Sequence, residues 1–231
     1  MFKYETHCHT CEGSACAYST AREMVHAYKK AGYAGLILTN HFIKGNTSVP
    51  VGLEWNTRMQ MYYDAYLEAK DEGEKLDFDV FFGIEHAYGR GKEILIYGID
   101  LEFLQSHPEL QDADIETYSR LVHEAGGLMI HAHPHRKRLY IKEGVMPRYD
   151  VCDGIEVYNA HDDDECNQSA MDDAKHLNMI MLSGGDIHRD YDERIGMAGI
   201  VSNERIDSND KLIETLKNKN FQLVIDGEVR G

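Results

Sequence analysis

Histidine and carboxylate side chains recur at the ends of the apolar segments in this 231-residue chain. They are His7, His9, His41, Glu85, His131, His133, His135, His161, Asp186 and His188. Imidazole and carboxylate groups are ligands of Zn, Mn and Fe(II), with water completing the coordination shell. A carboxylate such as Glu85 can bridge two ions, and two ions roughly 3.5–4 Å apart form the clamp that phosphoryl transfer uses.

Two pairs, His7 with His9 and His131 with His133, have the spacing H-x-H. Because side chains alternate across a strand, we expect the members of each pair to share a face and to hold one ion together. One such pair is weak support, since an isolated histidine after a strand is more often a hydrogen-bonding residue. The occurrence of all these histidines and carboxylates at strand ends is stronger support for a metal site, because unrelated structural histidines would scatter over helices and both ends of a sheet.

One dense basic run, residues 135–138, interrupts an otherwise acidic chain. Its last two residues are interpreted as a solvated loop. Arg136 follows His133 closely, where a guanidinium could hold a substrate phosphate through two hydrogen bonds. Arg189, directly after His188, is a second candidate for the same role.

The elements that must position these side chains alternate between strand and helix. We predict strands over residues 2–6, 34–39, 80–84, 93–99, 128–132, 154–158, 179–182, 197–201 and 221–225. We predict helices over residues 20–31, 53–72, 114–125, 164–177 and 210–219. Strands that are mostly followed by helices predict a parallel α/β architecture, either a closed barrel or an open doubly wound sheet. In a barrel, the residues that follow the strands would all meet at the C-terminal rim, where active sites are built.

Composition excludes several classes of function. The chain has 40 acidic and 24 basic residues, and the resulting net charge of −16 argues against a broad nucleic-acid-binding face and against an anionic membrane surface. No apolar run approaches the roughly 18 residues that a membrane helix needs. Neither a dinucleotide-binding nor a P-loop glycine motif is present. Five cysteines, an odd number, favour reduced thiols. We therefore expect a single cytoplasmic domain over residues 1–231.

Six short motifs, in order along the chain, resemble those of the PHP (polymerase and histidinol phosphatase) superfamily. They are His7-Cys8-His9-Thr10, Thr39-Asn40-His41, Gly83-Ile84-Glu85, Ala132-His133-Pro134, Glu156-Val157-Tyr158-Asn159-Ala160-His161 and Gly185-Asp186-Ile187-His188. The resemblance implies a distorted (β/α)7 TIM-like barrel with two to three divalent metal ions (Zn, Mn or Fe) at its rim. It also implies the hydrolysis of phosphoesters.

The resemblance implies three groups of metal ligands. A first ion would be held by His7, His9, Glu85 and Asp186, a second by Glu85, His133 and His161, and a third by His41, His188 and Cys16. Cys16 stands where the superfamily commonly has a histidine, and a thiolate can replace imidazole on zinc or iron. Asn40 stands where the motif usually has an aspartate, which removes a charge close to the third site.

The expected reaction is hydrolysis of a small phosphomonoester, histidinol-phosphate-like or nucleotide-like, by a metal-activated hydroxide. Arg136 or Arg189 would hold the remaining phosphoryl oxygens, and His135 would protonate the leaving group. Alternatives are a nuclease that acts on the ends of short oligonucleotides, a non-catalytic metal-binding regulatory domain, and an amidohydrolase. The Asp186-x-His188 pair and the absence of a carboxylated-lysine candidate argue against the last. The sequence leaves the exact substrate, the native metal and the oligomeric state open.

Overall fold

The computed structural model of the protein describes residues 1–142 and 144–230. The strands in these residues are β1 (Phe2–Cys8), β2 (Gly35–Leu38), β3 (Asp79–Gly89), β4 (Lys92–Tyr97), β5 (Leu128–His131), β6 (Gly154–Asn159), β7 (Ile180–Gly184), β8 (Ala198–Ser202), β9 (Gln222–Ile225) and β10 (Glu228–Arg230). The α-helices are α1 (Ala21–Lys30), α2 (Trp55–Lys75), α3 (Leu101–Ser106), α4 (Ile115–Glu124), α5 (Asp164–Leu177) and α6 (Asn209–Lys217). Short 3₁₀ turns cover Pro108–Gln111 and Tyr149–Val151.

Helix starts follow the capping residues in the sequence. Before α1, the Thr20 hydroxyl accepts a hydrogen bond from the Glu23 amide, and the Glu23 carboxylate accepts one from the Thr20 amide. This is the reciprocal capping box that the spacing predicts. Asp163 caps α5 by accepting from the Cys166 amide at 2.8 Å. The acidic residues 163–165 therefore form the start of α5 rather than a metal site.

All ten strands belong to one sheet with the order β10-β9-β8-β1-β2-β3-β4-β5-β6-β7. Strands β1 to β3 are parallel to one another, and so are β5 to β7. Strand β4 is antiparallel to both of its neighbours, and β8 to β10 form an antiparallel extension beside β1. The sheet curls so that the end of β7 returns to β1. There, the Thr6 hydroxyl donates to the Ser183 carbonyl at 2.8 Å and the Asp186 amide donates to the His7 carbonyl at 2.8 Å.

The predicted α/β class is confirmed, whereas the distorted (β/α)7 barrel is not. A hairpin, and not a helix, joins β3 to β4, which is why β4 runs against the parallel strands. Strand β3 also continues to Gly89, well past its predicted end, so that Glu85 lies inside the strand. Helix α3 and strand β10 were not predicted. Both are very short, and α3 depends on a local cap, in which Asp100 accepts from the Phe103 amide at 2.8 Å.

The two faces of the curled sheet bury different side chains. On β2, Leu36 and Leu38 pack into the cluster formed with α1 and α2, whereas Ile37 points to the inner cluster. This alternation is the signature of a strand covered on both faces. Within the inner cluster, the Tyr97 hydroxyl donates to the Thr6 carbonyl at 2.8 Å and so supports the strand that carries the first histidine pair. None of the helices in residues 1–142 and 144–230 has the length and apolar composition needed to cross a bilayer.

Candidate metal centre

Four side chains meet where β1 and β7 end and where β3 passes beside them. His7 and His9 bring their Nε2 atoms to within 3.0 Å of each other. The Nε2 atom of His7 lies 3.2 Å from Glu85 Oε1, and that of His9 lies 3.2 Å from Asp186 Oδ1. All four residues are buried. The spacing of the first H-x-H pair therefore has the predicted consequence, since both imidazoles point to one space.

Three further histidines extend this cluster. The Glu85 carboxylate is approached by His133 Nε2 at 3.1 Å on one oxygen and by His41 Nδ1 at 2.6 Å on the other. The His188 ring stacks on the His9 ring with centroids 4.3 Å apart. Four groups of three potential ligands have their donor atoms within 4.8 Å of one another: His9, His41 and His188; His7, His9 and Glu85; His7, His133 and Asp186; His41, Glu85 and Glu93.

Hydrogen-bond partners on the Nδ1 atoms of His7 and His9 orient the Nε2 atoms of these two rings toward the cluster. His7 Nδ1 lies 2.8 Å from Glu156 Oε1, and His9 Nδ1 lies 3.0 Å from the hydroxyl of Ser14. Glu156 also accepts a hydrogen bond from the His133 amide at 3.0 Å. Partners of this kind orient metal-binding imidazoles and raise their basicity. Glu156 was missed as a site residue, although a lone carboxylate in an apolar strand is itself a signal of a buried partner.

The asparagine of the Thr39-Asn40-His41 motif acts through Ser14. Its Oδ1 accepts from the Ser14 hydroxyl at 2.9 Å and from the Thr10 amide at 2.7 Å. Ser14 in turn contacts the His9 ring and accepts from the His41 amide at 3.0 Å. A neutral amide is therefore sufficient to hold both histidine-bearing loops together.

Glu93 is a second carboxylate that the sequence prediction missed. Its oxygens lie 3.6 Å from His41 Nδ1 and 3.6 Å from His133 Nε2. Residue 93 lies near the beginning of its strand, and in a purely parallel sheet that position would be at the opposite rim. Because β4 is antiparallel, its first residues instead lie at the same rim as the ends of β1 and β7 and beside the last residues of β3. Burial raises the pKa of Glu93 to about 7, and the nearby charge of Glu85 adds to this effect.

The chemistry of the donor set fits divalent cations. Burial alone would raise the pKa of Glu85, but the charges of His41 and His7 outweigh it and hold that pKa well below its usual range. Burial, together with His188 and His41, lowers the pKa of His9 and so favours the neutral imidazole that binds metals. His41 Nδ1 and Glu85 Oε2 are buried without a well-aligned hydrogen-bond partner, which is costly unless another group satisfies them. A cation coordinated by both atoms would satisfy them.

Two residues of the cluster occupy unusual backbone conformations. Asp186 has φ of 55° and His133 has φ of 27°, both in the left-handed region that side chains rarely adopt. Such conformations cost of order 1–3 kcal/mol each and cluster at functional sites. The strain at His133 also explains why the second H-x-H prediction is wrong. The chain leaves β5 at His131, whose Nε2 meets the Tyr88 hydroxyl at 2.8 Å and takes no part in the cluster.

Two of the residues predicted for the second and third sites lie at the edge. The Cys16 thiol contacts His188 and His41, and these contacts outweigh burial and lower its pKa to about 6. His161 is further away, with its Nε2 3.6 Å from Asp192 Oδ2 and no hydrogen-bond partner in residues 1–142 and 144–230. Cys16 therefore lies beside His41 and His188, but neither Cys16 nor His161 belongs to any of the four ligand groups found in the described residues.

The three residues predicted to be catalytic have different surroundings, and among them Arg136 lines the same cleft as Glu85 and Asp186. Arg136 is buried, and its guanidinium contacts Asp186 Oδ2 at 2.7 Å, Asp162 Oδ1 at 2.7 Å and Asn159 Oδ1 at 2.8 Å. These three side chains use much of the hydrogen-bonding capacity of the Arg136 guanidinium. His135 turns away from the cluster and meets Asp173 Oδ2 at 2.7 Å. Arg189 is exposed and lies over an aromatic ring.

A cleft of about 450 Å³ opens above the cluster. Its floor is formed by ligands such as His41, Glu85 and Asp186, and its walls include residues 44–46, the tip of the β3–β4 hairpin at residues 89–91, and Tyr140. This volume suits a small substrate rather than a polymer duplex.

No protein-family model and no curated protein sequence matches this chain. Among solved structures, it superimposes on a two-domain protein from Bacteroides vulgatus that contains a predicted PHP-like metal-dependent phosphoesterase (TM-score 0.72, 18% identity), covering 100% of this chain and 66% of that one. The chain shares the fold of the matched part of this protein.

Two other proteins share this fold at similarly low sequence identity. One is an amidohydrolase from Chromobacterium violaceum, with TM-score 0.57, 16% identity and coverage of 80% of this chain and 87% of that chain. The other is a lesion-specific endonuclease from Pyrococcus furiosus, with TM-score 0.63, 13% identity and coverage of 94% and 56% respectively. This chain thus spans about half of the endonuclease and just under two thirds of the Bacteroides protein. Because proteins described as a phosphoesterase, an amidohydrolase and an endonuclease share this fold, the function of this chain must be argued from its site.

Proposed function

We propose that the protein is a metal-dependent phosphoesterase that hydrolyses a small phosphomonoester. The observation that carries this proposal is the position of Glu85, whose two carboxylate oxygens each contact imidazoles that are delivered by other segments. A carboxylate between two sets of nitrogen donors is suited to bridge two divalent ions. When bound, such ions supply Lewis-acid activation of water and neutralise the phosphoryl oxygens.

The proposed ligands fall into three groups. His7, His9, Glu85 and Asp186 would hold a first ion, Glu85, Glu93 and His133 a second, and Cys16, His41 and His188 a third. Glu93 is added to the second group because one of its oxygens lies 3.6 Å from His133 Nε2. His161, whose buried Nε2 has no hydrogen-bond partner in residues 1–142 and 144–230, remains the further ligand proposed for this ion. Zn, Mn and Fe all suit such nitrogen and oxygen donors, and Cys16 favours Zn or Fe at the third position.

Arg136 is proposed as a positioning residue in place of the phosphate-binding role predicted for it. It holds Asp186 Oδ2, which leaves Oδ1 facing the histidine pair. Without this contact, the buried carboxylate of Asp186 would lose a charged partner, while its backbone would remain strained.

A nuclease that acts on short oligonucleotide ends is the second candidate, favoured by the likeness to the Pyrococcus endonuclease. The net charge of −16 and the modest cleft favour a small substrate over a long polyanion. In both cases the bond broken is a phosphoester, and the same residues would act.

The test begins with metal analysis of protein purified without chelator, where we expect about two to three equivalents of Zn, Mn or Fe. The metal-loaded protein is then assayed for phosphate release from sugar phosphates and nucleotides and for mononucleotide release from short oligonucleotides, with amide substrates as a counter-panel. His9→Ala and Asp186→Ala should abolish turnover while the circular dichroism spectrum is retained. Glu165→Ala, on the exposed face of α5, serves as the control with full activity. A protein that neither retains nor regains metal, or that cleaves only amides, would contradict the proposal.

A further inference from the structure

Two exposed tyrosines and an arginine lie beside the cluster and have no part in the proposed reaction. Tyr18 and Tyr191 are 67% and 68% exposed. The guanidinium carbon of Arg189 lies 4.3 Å from the centroid of the Tyr18 ring and 6.0 Å from that of the Tyr191 ring. We call Tyr18, Arg189 and Tyr191 the aromatic platform. Tyrosine rings that lie beside a guanidinium offer a ligand a flat aromatic surface together with hydrogen-bond donors.

The platform is fixed relative to the metal centre. The Tyr18 amide donates to the carbonyl of His188 at 2.9 Å. Next to it, the Ser19 hydroxyl donates to Asp190 Oδ1 at 2.6 Å, and the Asp190 amide donates back to the Ser19 oxygen at 2.9 Å. These three bonds join the loop after β1 to the loop after β7. The platform is thereby held directly next to His188, a ligand of the proposed third site.

Arg189 keeps its guanidinium available although acidic residues surround it in sequence. The Asp190 carboxylate is used by Ser19, and Asp192 meets Arg194 Nη1 at 3.3 Å. Among residues 1–142 and 144–230, Arg189 forms no ion pair with a carboxylate. A guanidinium stacked on an aromatic ring can donate hydrogen bonds in its own plane while presenting a flat surface.

We infer that the aromatic platform binds the nucleobase of a nucleotide substrate, whose phosphoester lies at the metal centre. The inference rests on the proposed function and narrows its substrate class. Nucleobases of any kind stack on tyrosine and arginine because each has a flat aromatic face, whereas sugar phosphates lack such a surface. In a chain with net charge −16, a mononucleotide or the end of a single strand fits better than a long duplex.

The experiment compares matched substrates with and without a base, using the metal-loaded full chain. Thymidine 5′-monophosphate is paired with 2-deoxyribose 5-phosphate, and oligothymidylate of about five nucleotides is paired with the same strand carrying an abasic end residue. We expect kcat/KM to favour the base-containing member by about 5- to 50-fold, in line with stacking on one aromatic surface. The two pairs also distinguish a mononucleotide from a strand end as the substrate.

Substitutions then assign the preference to the platform. In Tyr18→Ala and Arg189→Met, the ratio should fall to about one or two, whereas Tyr18→Phe should retain it because the ring remains. Leu177→Ala removes an apolar side chain that is 46% exposed on α5 and should leave the ratio unchanged. Equal hydrolysis of both members by the wild type, or a preference that survives in Tyr18→Ala, would overturn the inference.

A binding measurement separates failure of the platform from failure of the proposed function. If the metal-loaded protein releases phosphate from no ester, the proposed function fails. Fluorescence anisotropy with fluorescein-labelled oligothymidylate still tests the platform in that case. A Kd that is at least about fivefold weaker in Tyr18→Ala than in the wild type supports it, and equal affinities reject it.

Discussion

At the scale of single residues, Arg136 links Asp186, a proposed metal ligand, to Asp162 and Asn159. Its three contacts, to Asp186, Asp162 and Asn159, occupy the guanidinium on several sides, and the side chain is 8% exposed. A lysine ammonium cannot reproduce this planar set of donors. In Arg136→Lys we therefore expect metal affinity to fall about tenfold, the lower end of the usual range for outer ligand contacts. Competition with a chromophoric chelator measures the metal affinity of this variant and of the wild type.

The kinetic parameters of the same variant distinguish positioning from direct phosphate binding. A positioning role predicts a lower kcat at a given metal concentration, with KM changed less than about twofold. Lys137→Met, an exposed neighbour in the same run, is the matched control. A large rise in KM with normal metal affinity would instead support the phosphate-binding role that the sequence predicts.

At the scale of elements, the close packing of β7 against β1 and β6 explains a glycine. A Cβ atom on Gly184 would lie 2.2 Å from Glu156 Oε1 and 2.6 Å from His7 Cβ. Gly184→Ala should therefore displace Glu156 from the His7 ring, and we expect metal affinity to fall at least tenfold. Gly52→Ala, where a Cβ would meet nothing within 4 Å, is the control. Metal titration of both variants, with circular dichroism to verify folding, decides the matter; unchanged affinity in Gly184→Ala would show that the contact is dispensable.

The same elements show how far the sequence could predict the site. The ends of parallel strands share one rim, so the positions of His7, His9, His41 and Asp186 followed from strand boundaries alone. The same reasoning failed for Glu93, because no local pattern reveals that β4 runs antiparallel. It also failed for His131, because the φ of 27° at His133 breaks the strand alternation, and backbone strain has no sequence signature. Buried partners such as Glu156 become visible only once β1 and β6 are placed on one sheet.

At the scale of the whole molecule, metal binding should be coupled to folding. Glu85, Glu93 and Asp186 place carboxylates close together in a chain whose net charge is already −16, and cations relieve this repulsion. A ligand at about 100 times its Kd that binds only the folded state stabilises it by about 2.7 kcal/mol. For a chain of this size, that corresponds to a rise in Tm of roughly 5–10 °C. Calorimetry of chelator-treated protein, before and after addition of Zn or Mn, measures the shift. In His9→Ala the shift should be largely lost, whereas Glu165→Ala should keep it. An unchanged Tm in the wild type would mean that the cluster does not bind these ions in the folded state, whatever its geometry.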